Sequence, residues 1–249
     1  MIKIKITPKI LINAAAVLLI LLLSLMIVFL LCHPTGSESE DDRNAMEIYY
    51  DNKCESYGVQ NVNLSKGQIV FIGDSITDLY ILDDHYADLP LASYNRGIGG
   101  DTTSGVLRRL KVSIFDISPS VVVLMIGTND INGGVDEAKI LSNYEQIIDE
   151  IYSALPDVEL YCMSIIPQND DIETYSSIRI SDTTPRILSA NSKIRQLAES
   201  RGATYLDLFS LLADAENHLI KEYSDDGLHL NPTGLAVWTE LLKPYLLNK

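Results

Sequence analysis

The sequence predicts an α/β domain built on a parallel sheet, placed behind a hydrophobic N-terminal helix. Three observations carry that reading. Short apolar runs recur along residues 63–249, amphipathic stretches at helical spacing alternate with them, and the strongest runs are apolar throughout and rich in β-branched residues. Strands covered on both faces have that continuous pattern, and βα repeats produce the alternation.

The first element is residues 10–31, a stretch of 22 residues without a charge, interrupted only by Asn13 and Ser24. At about 1.5 Å per residue such a helix spans roughly 30 Å, the thickness of a bilayer's hydrocarbon core. A cleaved signal and a lipoprotein at Cys32 are the alternatives. Against the first, Cys32-His33-Pro34-Thr35-Gly36 offers no small-x-small cleavage site; against the second, Leu30 and Leu31 are large. Lys3, Lys5 and Lys9 precede the span, and Glu38, Glu40, Asp41 and Asp42 follow it. Residues 1–9 are therefore expected as a cytoplasmic tail, 10–31 as a single-pass anchor, and the rest outside the cytoplasmic membrane.

Residues 32–62 are polar, acidic and without sustained periodicity, and are expected as a stalk, with Ile48, Tyr49 and Tyr50 able to dock locally. The domain then runs from 63 to 249. Residues 68–72, 121–126 and 158–166 are the clear strands; 92–95 and 204–208 are weaker ones. Ile140, Leu141, Tyr144, Ile147, Ile148, Ile151, Tyr152 and Leu155 line one face of a helix. Ile187, Leu188, Asn191, Ile194, Leu197 and Ala198 mark another, opening after Pro185 and closing near Gly202. Asn231 and Pro232 supply an N-cap and a first-turn proline for a last helix carrying Leu235, Trp238, Leu241, Leu242 and Tyr245.

All 34 acidic residues but only 16 of the 19 basic ones follow the span, so the external part carries a formal charge of 16 − 34 = −18. That excludes nucleic acid as a natural partner and disfavours anionic lipid surfaces. Of the three cysteines, Cys54 and Cys162 are permitted a disulfide outside the cell, but two separate thiols with Cys162 buried is the simpler reading. No CxxC or metal-ligand cluster is present.

In an open parallel sheet, ligands bind beyond the carboxyl ends of the strands. Four segments at such places are unusual together: Gly73-Asp74-Ser75-Ile76-Thr77, Asn95-Arg96-Gly97-Ile98-Gly99-Gly100-Asp101, Gly127-Thr128-Asn129-Asp130 and Asp226-Gly227-Leu228-His229. A serine hydroxyl needs a base to become a nucleophile, and the base needs a third group to fix its tautomer. Ser75, His229 and Asp226 have those forms. Asp226, three residues before His229, can accept from its Nδ1 and leave Nε2 for the serine. The backbone N–H groups of Ser75 and Gly100 and the amide of Asn129 can then hold the oxyanion of a tetrahedral intermediate. Taken singly, each segment has a plainer role: turn chemistry for Gly-Asp-Ser, a tight turn for the glycines, an N-cap for Asn129, and a polar helix entrance for His229. The Rossmann spacing of glycines is not met, and Thr77 stands where a G-x-S-x-G elbow needs its second glycine.

These four blocks, in this order, resemble the SGNH hydrolases, also called GDSL esterases and lipases, over residues 68–246. GDSIT resembles the serine block, NRGIGGDTT the block with the oxyanion glycine, GTND the block with the asparagine, and DGLH the Asp-x-x-His block. Ser164-Ile165-Ile166-Pro167, Asn191 and Asp207 also resemble the family. The resemblance implies a three-layer α/β/α fold of flavodoxin type with a mostly parallel five-stranded sheet. It implies Ser75, Gly100, Asn129 and His229 as the name-giving residues, with Asp226 completing the triad. The run GIGGDTTSGVLRRL is similar to the catalytic subunits of platelet-activating-factor acetylhydrolase and to bacterial acetyl esterases and lysophospholipase-like proteins, which suggests a short acyl group. The anchor and acidic stalk depart from those relatives.

The function expected is hydrolysis of carboxylic esters, such as O-acetyl groups on glycans, through an acyl-serine intermediate, with no metal or cofactor. The alternatives are a lysophospholipase, an O-acyltransferase using the same triad, and a binding module that retains the fold. The short domain leaves little room for a large lid, so a shallow pocket is expected. Oligomeric state is open at this stage.

Overall fold

A computed structural model describes residues 44–172, 183–247 and 249. The expected tail, anchor and first part of the stalk, residues 1–43, lie outside them. Among the described residues no helix is long and apolar enough to cross a membrane. In chain order the elements are α1 (Ala45–Asn61), β1 (Ile69–Gly73), α2 (Ser75–Asp78), α3 (Asp83–Tyr86), β2 (Ser93–Gly97), α4 (Thr103–Leu110), β3 (Val121–Met125), α5 (Thr128–Asn132), α6 (Glu137–Ala154), β4 (Glu159–Met163), α7 (Thr183–Ser200), β5 (Thr204–Leu206), α8 (Phe209–Leu212) and α9 (Pro232–Leu246). A π-helical turn, Lys111–Phe115, prolongs α4.

The five strands form one sheet in the order β2-β1-β3-β4-β5, every pair parallel. Gly73 at the end of β1 stands opposite Gly97 of β2 and Met125 of β3. Three neighbouring strands therefore end level, and the loops that follow them leave the same edge side by side.

The two faces of the sheet bury different alternating residues. Val70 and Ile72 of β1 face one cluster, with Val106 and Leu110 of α4, Ile147 of α6 and Ile194 of α7. Ile69 and Phe71 face the other, with Trp238 and Leu242 of α9. Both sets are fully buried, which is why the run is apolar at every position. The Trp238 ring packs 4.7 Å from Tyr80 and 6.4 Å from Phe71, centroid to centroid, and fixes α9 against β1.

Most expected boundaries hold to within two residues, and two move further. The fourth strand ends at Met163 instead of continuing to 166: Ser164 N still donates to Leu206 O of β5 at 3.0 Å, and a side chain takes over the backbone at Ile165. The Asn191 carboxamide accepts from Ile165 N and donates to Ile165 O, both at 2.8 Å, and Ser164 Oγ accepts from Phe209 N at 2.7 Å. Ile165 and Ile166 stay buried beyond the end of the strand, so the apolar run continues past it. Helix α7 starts at Thr183, ahead of Pro185. A proline in a first turn gives up only an N–H that has no acceptor within the helix.

The larger correction concerns the stalk. Its second half, expected to be linker up to residue 62, is the helix α1, which packs on the domain with Tyr57 buried. Polar bonds at the tips of long side chains attach it. Tyr57 donates to Gly97 O, Tyr50 to Gly105 O at 2.7 Å, and Asn61 Nδ2 to Val112 O at 2.7 Å. Arg96 lies 4.6 Å from the Tyr57 ring centroid and donates to Gln60 and Asn61. Such a helix has no aliphatic stripe, so its sequence shows no helical period. Cys54 and Cys162 are free thiols, and burial pushes the Cys162 thiol up to about 12.

Candidate active site

Ser75 is the first residue of α2, immediately past the end of β1. Asp74 caps the helix, its Oδ1 accepting from Ile76 N at 3.0 Å. The Ser75 N–H, in the first helical position, has no acceptor within the helix. Ser75 Oγ lies 2.8 Å from His229 Nε2, although 154 residues separate them. His229 Nδ1 lies 2.7 Å from Asp226 Oδ2, and Asp226 Oδ1 accepts from the backbone N–H of Leu228 at 2.8 Å and of His229 at 2.7 Å. The carboxylate thus both folds its own turn and orients the imidazole. All three residues are half-buried. Burial works to raise the Asp226 pKa, but the bonds from His229 and the two amides outweigh it and hold the carboxyl below its ordinary value.

The loop after β2 carries Gly100 at φ +76°, a conformation that favours glycine. The chain must also pass close to α2 here, since a Cβ on Gly97 would fall 2.2 Å from Asp78 N. Asn129, at the start of α5 beyond β3, donates from Nδ2 to Asp101 O at 2.8 Å. A primary amide has a second N–H, which this bond leaves for the site. The strands β2, β1 and β3 are neighbours and end level, so the loops that carry Gly100, Ser75 and Asn129 leave the same edge of the sheet side by side. The structure brings the triad residues into contact and sets both outer loops beside them.

Several buried residues that hold these loops were missed by the sequence reading. Arg109 is 2 % exposed, and its guanidinium donates to Asp101 Oδ2 at 2.7 Å, Arg96 O at 2.7 Å, Gly73 O at 2.9 Å and Ser113 Oγ at 2.9 Å. One side chain therefore ties the ends of β1 and β2 to the Gly97–Asp101 loop. Its signal was present: in α4, Arg109 follows Val106 by three residues and stands next to Leu110, on the face that must point inward. Asp130 accepts from Thr103 N at 2.9 Å and Thr103 Oγ1 at 2.7 Å, which locks the start of α4 to the Asn129 loop.

Asp74 is buried at 1 % exposure, and among the described residues its Oδ2 has no hydrogen-bond partner. Burial pushes its pKa up to about 7; Ile76 N and the Thr128 hydroxyl oppose the rise, and Asp101 and Asp130 add to it. An acid whose folded pKa is raised stabilises the fold fully below its unfolded value near 3.8, and that contribution is lost as pH rises through about 7. Asn keeps the capping oxygen and cannot ionise. Asp74→Asn should therefore raise the melting temperature at pH 8 and change it little at pH 4. Equal shifts at both pH values in thermal melts would show that Asp74 does not titrate in this window.

The GDSL-like Lipase/Acylhydrolase family matches residues 71–237. Among curated proteins, subunit alpha1 of platelet-activating factor acetylhydrolase IB from Bos taurus is 32% identical over 185 residues, 72% of this chain and 75% of its own length. The human alpha2 subunit is 32% identical over 105 residues, and the match spans only 45% of that relative. Among solved structures, a Streptococcus pneumonia protein assigned provisionally as a platelet activating factor superposes with TM-score 0.74 at 29% identity, covering 82% of this chain and 100% of that one. An acetylxylan esterase from Geobacillus stearothermophilus shares the fold, with TM-score 0.59 at 17% identity, over 73% of this chain and 94% of that one. Spread across the carboxyl edge of a parallel sheet and matched from Phe71 to Val237, the four blocks place this chain in the GDSL-like lipase/acylhydrolase family.

Proposed function

We propose that the protein is a serine esterase that hydrolyses short-acyl carboxylic esters, O-acetyl groups on glycans in particular, outside the cytoplasmic membrane. The observation that carries this reading is the chain of contacts from Ser75 Oγ to His229 Nε2, 2.8 Å, and from His229 Nδ1 to Asp226 Oδ2, 2.7 Å. Ser75 Oγ attacks the ester carbonyl as its proton passes to Nε2, and the carbonyl oxygen becomes an oxyanion facing the N–H groups of Ser75, Gly100 and Asn129. Collapse breaks the bond to the alcohol oxygen, which takes the proton from His229. Water then repeats the attack on the acyl-Ser75 ester, again with His229 as base, and the free acid leaves.

Two things support the substrate class. The family relatives and fold neighbours include an acetylhydrolase and an acetylxylan esterase. The formal charge of −18 after residue 31 favours neutral glycan esters over anionic surfaces. The apolar segment 10–31 with its basic leading flank favours a tethered enzyme facing outward. The test is acetate release by the full-length protein from O-acetylated xylo-oligosaccharides, run beside a lysophospholipid. Acetate from the glycan is the expected result. Fatty acid from the lysophospholipid with none from the glycan would overturn the substrate class, and transfer of acetyl to an added sugar would reassign the enzyme as an acyltransferase.

A further inference from the structure

Helix α1 touches both halves of the site, yet the triad and oxyanion donors make no use of it. In its first half, Tyr49 OH donates to Asp78 Oδ2 at 2.8 Å and Lys53 Nζ to Asp78 Oδ1 at 2.6 Å, gripping the last residue of the helix that begins with Ser75. Tyr57 and Tyr50 bond to the carbonyls of Gly97 and Gly105, one on either side of the oxyanion loop. The N-terminal end of α1, as far as Tyr49, lies against the glycines. A Cβ added at Gly99 would meet the Tyr49 ring at 3.6 Å, and one at Gly100 would meet Met46 Cε at 2.4 Å. Met46 is 55% exposed, and Gly100 is exposed as well. A flexible thioether therefore stands at the open rim beside the residue whose N–H is assigned to the oxyanion.

The chemistry decides which half of a substrate meets it. The alcohol oxygen must lie at His229 Nε2 to receive its proton, and His229 comes from the turn that precedes α9. The oxyanion lies toward Gly100. The acyl chain takes the remaining direction, away from the imidazole. Helix α1 is bonded to Asp78, at the far end of the helix that Ser75 begins, and to Arg96 and Gly97 of β2, the edge strand of the sheet, so it flanks the site on its Gly100 side.

We propose that Met46 is a specificity-determining residue: its thioether methyl closes the acyl end of the cleft and restricts the enzyme to esters of short acids. This rests on the esterase reading of the site. The consequence is that selectivity resides in a segment ahead of the four family blocks, on the helix that leads in from the N-terminal region.

The experiment compares kcat/KM of the full-length wild type, Met46→Ala and Met46→Trp on p-nitrophenyl acetate and butanoate, and on acetates of alcohols of increasing size. Met46→Ala should raise the butanoate-to-acetate ratio about 10-fold, the scale of discrimination by a few methylenes in an apolar pocket, and Met46→Trp should lower it. The ratios among the different acetates should hold. Position 46 is exposed and in a helix, so both variants should melt as the wild type does. An equal loss on every ester, unchanged ratios, or a change that follows the alcohol instead of the acid would overturn the proposal. A wild type inert to all these esters would overturn the esterase reading itself.

Discussion

Ser75→Ala is expected to lower kcat on an activated acetyl ester by about 10⁶-fold, the scale at which a nucleophile and its base act as one unit. The only bond described for Ser75 Oγ is the one to His229, so the substitution removes the attacking atom and little else. The cap from Asp74 to Ile76 N uses other atoms and survives, and alanine suits a first helical turn. The variant should therefore fold as the wild type does and melt within a few degrees of it. Any turnover left in such a variant comes from substrate binding and oxyanion stabilisation. Mass spectrometry adds an independent reading, since a serine-directed phosphonate should add to the wild type and not to the variant. A Ser75→Ala enzyme that keeps more than about one hundredth of wild-type kcat would remove Ser75 as nucleophile.

The sequence already shows the parts of the fold and site that depend on local pattern. β1 and β3 are apolar at every position because both faces are covered. The last helix has its own start signal in Asn231, whose Oδ1 accepts from Thr233 N and Gly234 N. Three of the four site loops directly follow β1, β2 and β3, so their meeting required only the strand order, while the Asp226–His229 turn is marked by the start of α9 that it precedes. Features that depend on one long side chain meeting a distant backbone are not visible in that way. Helix α1 reads as linker because tyrosine hydroxyls hold it, and the role of Arg109 rests on carbonyls contributed by β1 and β2. Likewise the early end of β4 depends on Asn191, 26 residues from Ile165. A hydrophobic pattern reports which face of an element is buried; it does not report which polar atom waits there.

Asp226→Asn isolates the contribution of tautomer control, and its expected effect is a fall in kcat of about 10⁴-fold with little change in KM. Two backbone N–H groups, those of Leu228 and His229, point at Asp226 Oδ1. An asparagine must keep its oxygen there to satisfy them, which places its NH₂ at the position of Oδ2, 2.7 Å from His229 Nδ1. A donor in that position needs an acceptor, so Nδ1 gives up its hydrogen and Nε2 carries it instead. His229 then presents an N–H to Ser75 Oγ and has no lone pair for the serine proton. The turn keeps its shape, since the bonds that fold it are retained, and the loss appears in the chemical step. The acid limb of stability should change as well. The wild-type carboxylate, held below its ordinary pKa, stabilises the fold above the unfolded value near 3.8 and loses that contribution as pH falls through the folded one. The asparagine variant lacks this term, so its melting temperature should fall less steeply on the acid side. A kcat within 10-fold of wild type would mean that a group other than Asp226 sets the tautomer of His229.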